Sequence, residues 1–207
     1  ALALCLAVPG AAALAAASYH VGIITGTVNQ GEDEVRGAEA MIKEYGDVKS
    51  GGMIQHVTYP NNFMAEQETT ISQIVSLAND PLMKAIVMNQ AVPGATEAFR
   101  RVKEMRPDIL LLAGVPHEDP IVISSIADLV MRNDFVSAGY RIIWTAKKLG
   151  AKTFVHISFP RHMSVETLTR RRMIMEQACK DLGVKWVFET APDPISDVGI
   201  VGAQRFM

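Results

Sequence analysis

The chain has little of what most chemical functions need. It holds two cysteines in 207 residues, Cys5 and Cys179. Two thiols so far apart give neither a metal-ligand spacing nor a disulfide framework. Cys179 falls on the apolar side of a predicted helix and reads as a buried thiol, not a nucleophile. Excess positive charge is also lacking. Twenty Lys and Arg against 22 Asp and Glu leave a net charge of -2, and no aromatic-basic interleaving occurs. That composition offers no electrostatic footprint for nucleic acid. The phosphate-loop patterns GxxxxGK[ST] and GxGxxG are absent, as is the GxSxG elbow. After residue 18 there is no repeat, coiled coil or low-complexity tract.

What is present is an alternation of apolar strands and amphipathic helices. Strand patterns run over Tyr19–Thr25, Ile54–Tyr59, Lys84–Met88, Asp108–Leu112 and Ala127–Met131. Helix patterns fall between them. The first is expected to start in the acidic run Glu32-Asp33-Glu34, after a loop over Gly26–Gly31, with Val35, Ala38, Ile42 and Tyr45 inward. The second is capped by Asn62 and the third starts at Pro93, with Met105 among its inner residues. Ile121–Ile126 is undecided between helix and strand. Almost wholly apolar strands alternating with helices predict a parallel sheet covered on both faces.

The stretch Leu129–Pro160 joins this lobe to a second. Arg132-Asn133-Asp134 ends a strand and starts a helix over Phe135–Leu149, with Val136, Tyr140, Ile143, Ala146 and Leu149 inward. Lys152–Phe159 is a strand. A helix capped by Ser164 follows, with Val165, Leu168, Met175, Cys179 and Leu182 inward. Lys185–Thr190 is a further strand, and a helix is possible after the Asp193–Asp197 loop. His156 reads as a hydrogen-bonded core histidine, and Arg170-Arg171-Arg172 as a solvated face.

Both ends read as cut. The opening run ALALCLAVPGAAALAAAS resembles the apolar core of a secretory signal peptide, with Ala15 and Ala17 before a cleavage point at Ser18. Lipidation of Cys5 is the weaker alternative, because Leu4 is large for that position and another apolar run follows. The expected division is therefore a signal-peptide remnant over 1–17, an N-terminal lobe over 18–133, and a hinge helix with an incomplete C-terminal lobe over 134–207. Export implies a periplasmic or extracytoplasmic location, with the membrane met only through the signal or an anchor.

HVGIITGT and VMRNDFVSAGYRIIWTAKKLGAKTFVHI resemble the opening strand and hinge passage of type I periplasmic solute-binding proteins. In that passage an Asp leads into a helix with an internal Gly and a Gly-Ala/His-Lys turn, here Asp134, Gly139 and Gly150-Ala151-Lys152. GVPHEDP, KTFVHISFPRHMS and TAPDPISDVG are similar to an uncharacterised bacterial group of solute-binding proteins and lipoproteins of unknown ligand. The resemblance implies an α/β fold: a doubly wound parallel sheet in a Rossmann-like lobe, then the start of a second similar lobe. It implies capture of a small polar solute between two lobes, for a membrane permease of an ABC-type transporter or for sensing. Effector domains of transcription regulators share the pattern.

In open parallel sheets, ligands bind at the carboxyl ends of strands. The loops expected there carry Thr25, Thr27, Asn29, Gln30, Asn61, Asn89, Gln90, His117 and Glu118 in the first lobe. Asp134, Ser158 and Arg161 are the corresponding residues of the hinge and second lobe. Neutral amides and hydroxyls suit a polar solute that is uncharged or zwitterionic. His117 and Glu118 could instead serve a hydrolase or racemase. No cofactor, metal site or catalytic residue is expected.

Overall fold

The structure, a computed structural model, describes residues 17–194 and 199–206. The signal-peptide reading and Cys5 lie outside the described residues. The chain divides into two compact units, one ending at Met131 and the other beginning at Arg132.

The first unit holds β1 (His20–Thr25), α1 (Val28–Tyr45), β2 (Ile54–Thr58), α2 (Gln67–Leu77), β3 (Met83–Met88), α3 (Ala95–Met105), β4 (Leu110–Gly114), α4 (Pro120–Ser124) and β5 (Leu129–Met131). Its strands form one parallel sheet in the order β2-β1-β3-β4-β5. Strand β1 is the pivot: Ile23 pairs with His56 on one side and Val87 on the other. The chain leaves β1 toward β2, then returns past it to β3. The strand order therefore reverses between β1 and β3, which opens a crevice outside their carboxyl ends.

Both faces of this sheet are covered, as apolar parallel strands require. Ala38 of α1 packs with Ile23 and Ile54 on one face. On the other, a Cβ at Gly22 would meet Leu77 of α2 at 2.9 Å. At the amino edge, Arg106 donates to the carbonyls of Asp80 and Met83, both at 3.1 Å, and His20 Nδ1 pairs with Asp80 at 2.5 Å. Burial raises the Asp80 pKa, but His20, the Leu82 N–H and Arg106 outweigh it and hold the carboxyl below its ordinary range.

Several boundaries differ from the pattern. Helix α1 starts at Val28, not in the acidic run, because Gln30 reaches back to the Thr27 N–H at 3.3 Å; the helix then breaks at Gly31, where φ is -162° and ψ 81°. Asn62 opens a turn, accepting through its carbonyl from Ala65 and Glu66, and α2 begins only at Gln67. Strand β4 starts two residues later than expected, since Asp108 is held outside the ladder by Lys84 and Arg106. Met105, expected inward, is half exposed in the last turn of α3. Tyr45, at the end of α1, is exposed for the same reason.

The second unit holds α5 (Phe135–Lys148), β6 (Thr153–Ser158), α6 (Pro160–Ser164), α7 (Glu166–Leu182), β7 (Lys185–Thr190) and α8 (Gly199–Phe206). β6 and β7 pair in parallel, Phe154 opposite Trp186 and His156 opposite Phe188. Ile143, Met175, Ala178, Cys179 and Val184 form the core, and burial pushes the Cys179 thiol up. Helix α5 packs on α7 at Gly139, where a Cβ would stand 2.9 Å from the Arg171 carbonyl. Its inner stripe is therefore Gly139 and Ile143. Val136, Tyr140 and Leu149 are exposed instead of inward, Leu149 at 83%.

Ser164 does not cap α7. It closes the short α6, its hydroxyl donating to the Arg161 carbonyl, and Val165 occupies the cap. The arginine run is not one solvated face. Arg170 is exposed beside Glu166, but Arg171 stacks on Phe135 and Arg172 on Phe188. His156 lies edge-on to Trp186 and Phe188, and its Nδ1 is buried without a hydrogen-bond partner. Among the described residues, no helix is long and apolar enough to cross a membrane.

Candidate functional site

Polar side chains gather at the carboxyl edge of the first sheet, beside the β1–β3 crevice. β1 ends in Thr25, which is buried. Its hydroxyl donates to the Gly26 carbonyl at 2.8 Å and is left to accept from His56 Nε2, also at 2.8 Å. That arrangement puts the His56 proton on Nε2, and burial pushes the imidazole below its ordinary pKa. Thr25 and His56 thus brace the edge from beneath.

Above them, Thr27 Oγ1 donates to Asn61 Oδ1 at 2.5 Å, and Gln30 Nε2 donates to the Asn61 carbonyl at 2.7 Å. Thr27, Gln30 and Asn61 come from the loop after β1, the first turn of α1 and the loop after β2. Asn29 is exposed beside them, on the same turn. Gly26 admits this closure. A Cβ there would stand 2.9 Å from Gln30 Oε1 and 3.0 Å from the Tyr59 hydroxyl. Tyr59 is buried and packs edge-on to Phe63.

The crevice itself is bridged by a residue that the sequence pattern assigned only to a helix start. Glu34 Oε1 accepts from Gln90 Nε2 at 2.6 Å, joining α1 to the loop after β3. Its other oxygen is buried without a hydrogen-bond partner. The break at Gly31 brings the carboxylate back over the backbone, with Cδ 3.2 Å from where a Gly31 Cβ would be. A signal was there to read: Glu34 lies four residues before Ala38 and beside Val35, on the margin of the inward stripe. Asn89, half-buried, continues the β3 edge with its N–H donating to the Ile24 carbonyl at 3.0 Å.

Glu118 is committed elsewhere. Its carboxylate accepts from the N–H groups of Gly94 and Thr96 at 3.0 and 2.9 Å and from Thr96 Oγ1 at 2.6 Å. It caps the amino end of α3, where orphan donors and the helix dipole favour a carboxylate. His117 is exposed and lies edge-on to Phe63. Between β4 and this loop, Val115 has φ of 38°, a conformation that costs a β-branched residue about 1–3 kcal/mol. Its N–H bonds the Met131 carbonyl at 2.7 Å, and the His117 N–H bonds that of Ala91 at 2.9 Å.

In the second unit, Ser158 is buried at the carboxyl end of β6. Arg161 makes a forked pair with Asp193, Nε to Oδ2 at 2.8 Å and Nη2 to Oδ1 at 3.2 Å. Asp134 is exposed and caps α5, accepting from the Ser137 N–H at 3.0 Å; hydrogen bonding from the Ser137 hydroxyl first, and from its N–H second, holds its carboxyl below the ordinary range. No group of three metal-ligating side chains occurs among the described residues.

A family model described as "Protein of unknown function (DUF3798)" matches residues 19–207. The chain belongs to that family. An uncharacterized protein of Treponema pallidum (strain Nichols) is 44% identical over 178 residues, covering 85% of this chain and 80% of the relative. Among solved structures, a candidate transcriptional regulator from Clostridium difficile 630 superposes with a TM-score of 0.67 at 25% identity, over 91% of this chain and 55% of that one. An ABC transporter system solute-binding protein from Conexibacter woesei DSM 14684 gives a TM-score of 0.57 at 17% identity, over 84% and 54%. The fold is that of a type I periplasmic-binding-protein-like lobe, and the chain spans about half the length of these solved structures. Its neighbours are binding proteins and regulators.

Proposed function

We propose that this chain binds a small polar solute at the carboxyl edge of the first sheet, as an extracytoplasmic solute-binding protein serving an ABC-type permease or a sensor. One observation carries the reading. Thr27, Asn29, Gln30, Asn61, Asn89 and Gln90, from the segments that follow β1, β2 and β3, stand at the carboxyl edge beside the point where the strand order reverses. The crevice at such a reversal is where ligands of open α/β sheets bind. In this reading His117 adds a contact from the loop after β4; Ser158, Asp134 and Arg161 are candidate solute contacts of the second unit taken by itself. Thr25 and Glu118 act by holding loops in place. The commitment of both Glu118 carboxylate oxygens to the amino end of α3 speaks against the hydrolase or racemase alternative, which needs Glu118 for acid-base work.

Asn61→Ala removes the acceptor of Thr27 and should weaken solute binding roughly three- to tenfold, the effect of about 0.5–1.5 kcal/mol for a neutral hydrogen bond. Thermal-shift screening finds the solute, and calorimetry on the variant measures the loss. Unchanged affinity would remove this edge from the site.

A second reading, the effector-binding part of a transcription regulator, is favoured by the regulator from Clostridium difficile 630, the more similar of the two solved structures. Fractionation of native cells separates the two. Protein outside the cytoplasmic membrane supports delivery or sensing of solute, and protein on cytoplasmic DNA supports regulation.

A further inference from the structure

The two units carry opposite charge. Up to Met131 the chain holds eight Lys and Arg against 15 Asp and Glu, a net of -7; from Arg132 on it holds twelve against seven, a net of +5. Much of the positive excess sits at one end of the second unit. Helix α5 ends at Lys148, just before β6 opens at Thr153, and α7 ends at Leu182, just before β7 opens at Lys185. The parallel pairing of the two strands brings both helix ends to the same end of the unit. Lys147, Lys148, Lys152 and Lys185 gather there, with the Lys185 N–H donating to the Lys152 carbonyl at 2.8 Å. All four are exposed, and no ion pair among the described residues includes them. The nearby acids of α7 are occupied: Glu176 pairs with Arg172 and Lys180, and Asp181 accepts from Gln177 at 2.8 Å. Apolar surface stands in the same place. Leu149, between Lys148 and Gly150, is more exposed than any other large apolar residue among the described ones. One turn back, Trp144 is exposed, with Lys148 Nζ 5.1 Å over its ring. Ile142 and Leu149 line a shallow groove against Phe154. The helix dipole accounts for Lys147 and Lys148. It does not account for lysines that open strands, or for an exposed leucine and tryptophan among them.

We infer that this end of the second unit docks on an anionic phospholipid surface. Unpaired lysines are drawn to the headgroup phosphates. Trp144 suits the headgroup level, where an amphipathic ring is at home, and Lys148 lies along it with its ammonium toward the phosphates. Leu149 then enters the acyl boundary, as the apolar residues of interfacial helices do. A lipid surface supplies negative charge and an apolar phase beneath it. A polyanion such as nucleic acid supplies the charge alone and leaves Leu149 in water. The same surface repels the first unit, at -7, so the docking has a direction. The inference stands apart from the solute reading, because Ser158 and Arg161 lie at the opposite, carboxyl end of β6 and stay clear of the lipid.

The test uses the full chain with vesicles of phosphatidylcholine, alone or with phosphatidylglycerol as about a third of the lipid. Co-sedimentation reads binding, and Trp144 emission, in a Trp186→Phe background, reads insertion. The chain should sediment with the phosphatidylglycerol vesicles, less so as salt rises, and Trp144 should shift to the blue. Lys147→Gln with Lys148→Gln should weaken binding about 25-fold, roughly fivefold for each lysine, and Lys152→Gln with Lys185→Gln should do the same. Leu149→Ser should weaken it about tenfold. Lys43→Gln with Lys49→Gln removes two charges from the first unit and should change nothing. The apolar run before Ser18 is present in every variant, so it cannot produce these differences. An equal loss in the Lys43 and Lys49 variant would assign binding to bulk charge and overturn the inference. So would equal binding to both kinds of vesicle, no binding to either, or an unshifted Trp144. Tighter binding to polyglutamate than to the vesicles would overturn it in favour of an acidic protein partner. Each of these outcomes leaves the solute-binding reading standing.

Discussion

Strands β1 and β6 are both central pieces of strand-helix-strand units, HVGIIT and TFVHIS, each six residues long and each followed by a helix and a parallel partner. β1 pairs on both edges, with β2 and β3, and is buried almost throughout. β6 pairs only with β7 among the described strands, and buries one side. Phe154, His156 and Ser158 face α5 and α7, whereas Val155 and Ile157 are exposed. Similar apolar content gives two outcomes because burial belongs to neighbours, not to the strand. The first unit has helices on both faces of five strands. The second has α5 and α7 on one face of two, and a two-stranded sheet is marginal by itself.

The largest expected effect breaks the comparison at its cores. Ile86 and Ile143 are both fully buried, one in β3 and one in α5. Truncating either to Ala should cost about 2–5 kcal/mol, the usual range for a buried isoleucine. The consequences should differ. Ile143 belongs to a small cluster with Met175, Ala178, Cys179 and Val184, so Ile143→Ala should strip amide protection from β6 and β7 and leave β1, β3 and β4 protected. Ile86→Ala should lower protection across the first sheet while retaining its slow-exchanging centre. Hydrogen exchange on both variants reads this directly. Equal loss in both units from Ile143→Ala would mean that they unfold as one.

A smaller effect compares two glycines. At Gly114 a Cβ would stand 2.3 Å from the Asn89 carbonyl oxygen, so the β4 edge and the loop after β3 are in contact through backbone. Gly114→Ala must move one of them and should cost about 1–3 kcal/mol or more, with solute affinity falling because Asn89 and Gln90 shift. Gly183 ends α7 at φ of 63°, with open space around it. Gly183→Ala meets no atom and should cost only about 1–2 kcal/mol, for the left-handed backbone alone. Denaturant melts with calorimetry separate a loss of stability and binding from a loss of stability only.

Sequence pattern reached the architecture because apolar periodicity is local. Every strand was legible within two residues, and Gly150 and Gly183 marked helix ends. It reached the site less well. Asn61 and Thr27 could be placed on one edge, but not bonded to each other, since that contact spans 34 residues. Glu118 looked like chemistry because a His-Glu-Asp loop does; its role depends on the amino end of α3, which only the fold brings near. Glu34 was hidden for the opposite reason. Three consecutive acids read as a helix start, and the break at Gly31 that turns one of them toward Gln90 has no periodic signature. The exposed side of α5 was missed because the pattern shows an apolar face without showing whether anything covers it.

The smallest effect concerns pH, and it too separates the units. Burial holds three histidines below their ordinary pKa: His56 in the first unit, His156 and His162 in the second. For His156 the charges of Arg171 and Arg172 add to burial, and for His162 that of Arg161 does so, partly offset by Asp193. A depressed histidine is neutral in the folded chain and takes a proton on unfolding. The stability it contributes is therefore complete above the unfolded value of about 6.5 and is lost as pH falls toward the folded value. Asp80, Asp108, Asp128 and Glu97 are held below the usual carboxylate range, so their losses come at lower pH and stay out of this window. Between about pH 7.5 and about pH 5.5, the second unit, with two such groups, should lose more protection than the first. Hydrogen exchange at both values, corrected for intrinsic rates, measures the difference. His156→Gln with His162→Gln removes the titrating groups, and should flatten the slope for β6 and β7 while leaving that of β1 and β3 unchanged. An unaltered slope in the double variant would assign the pH response to groups other than these histidines.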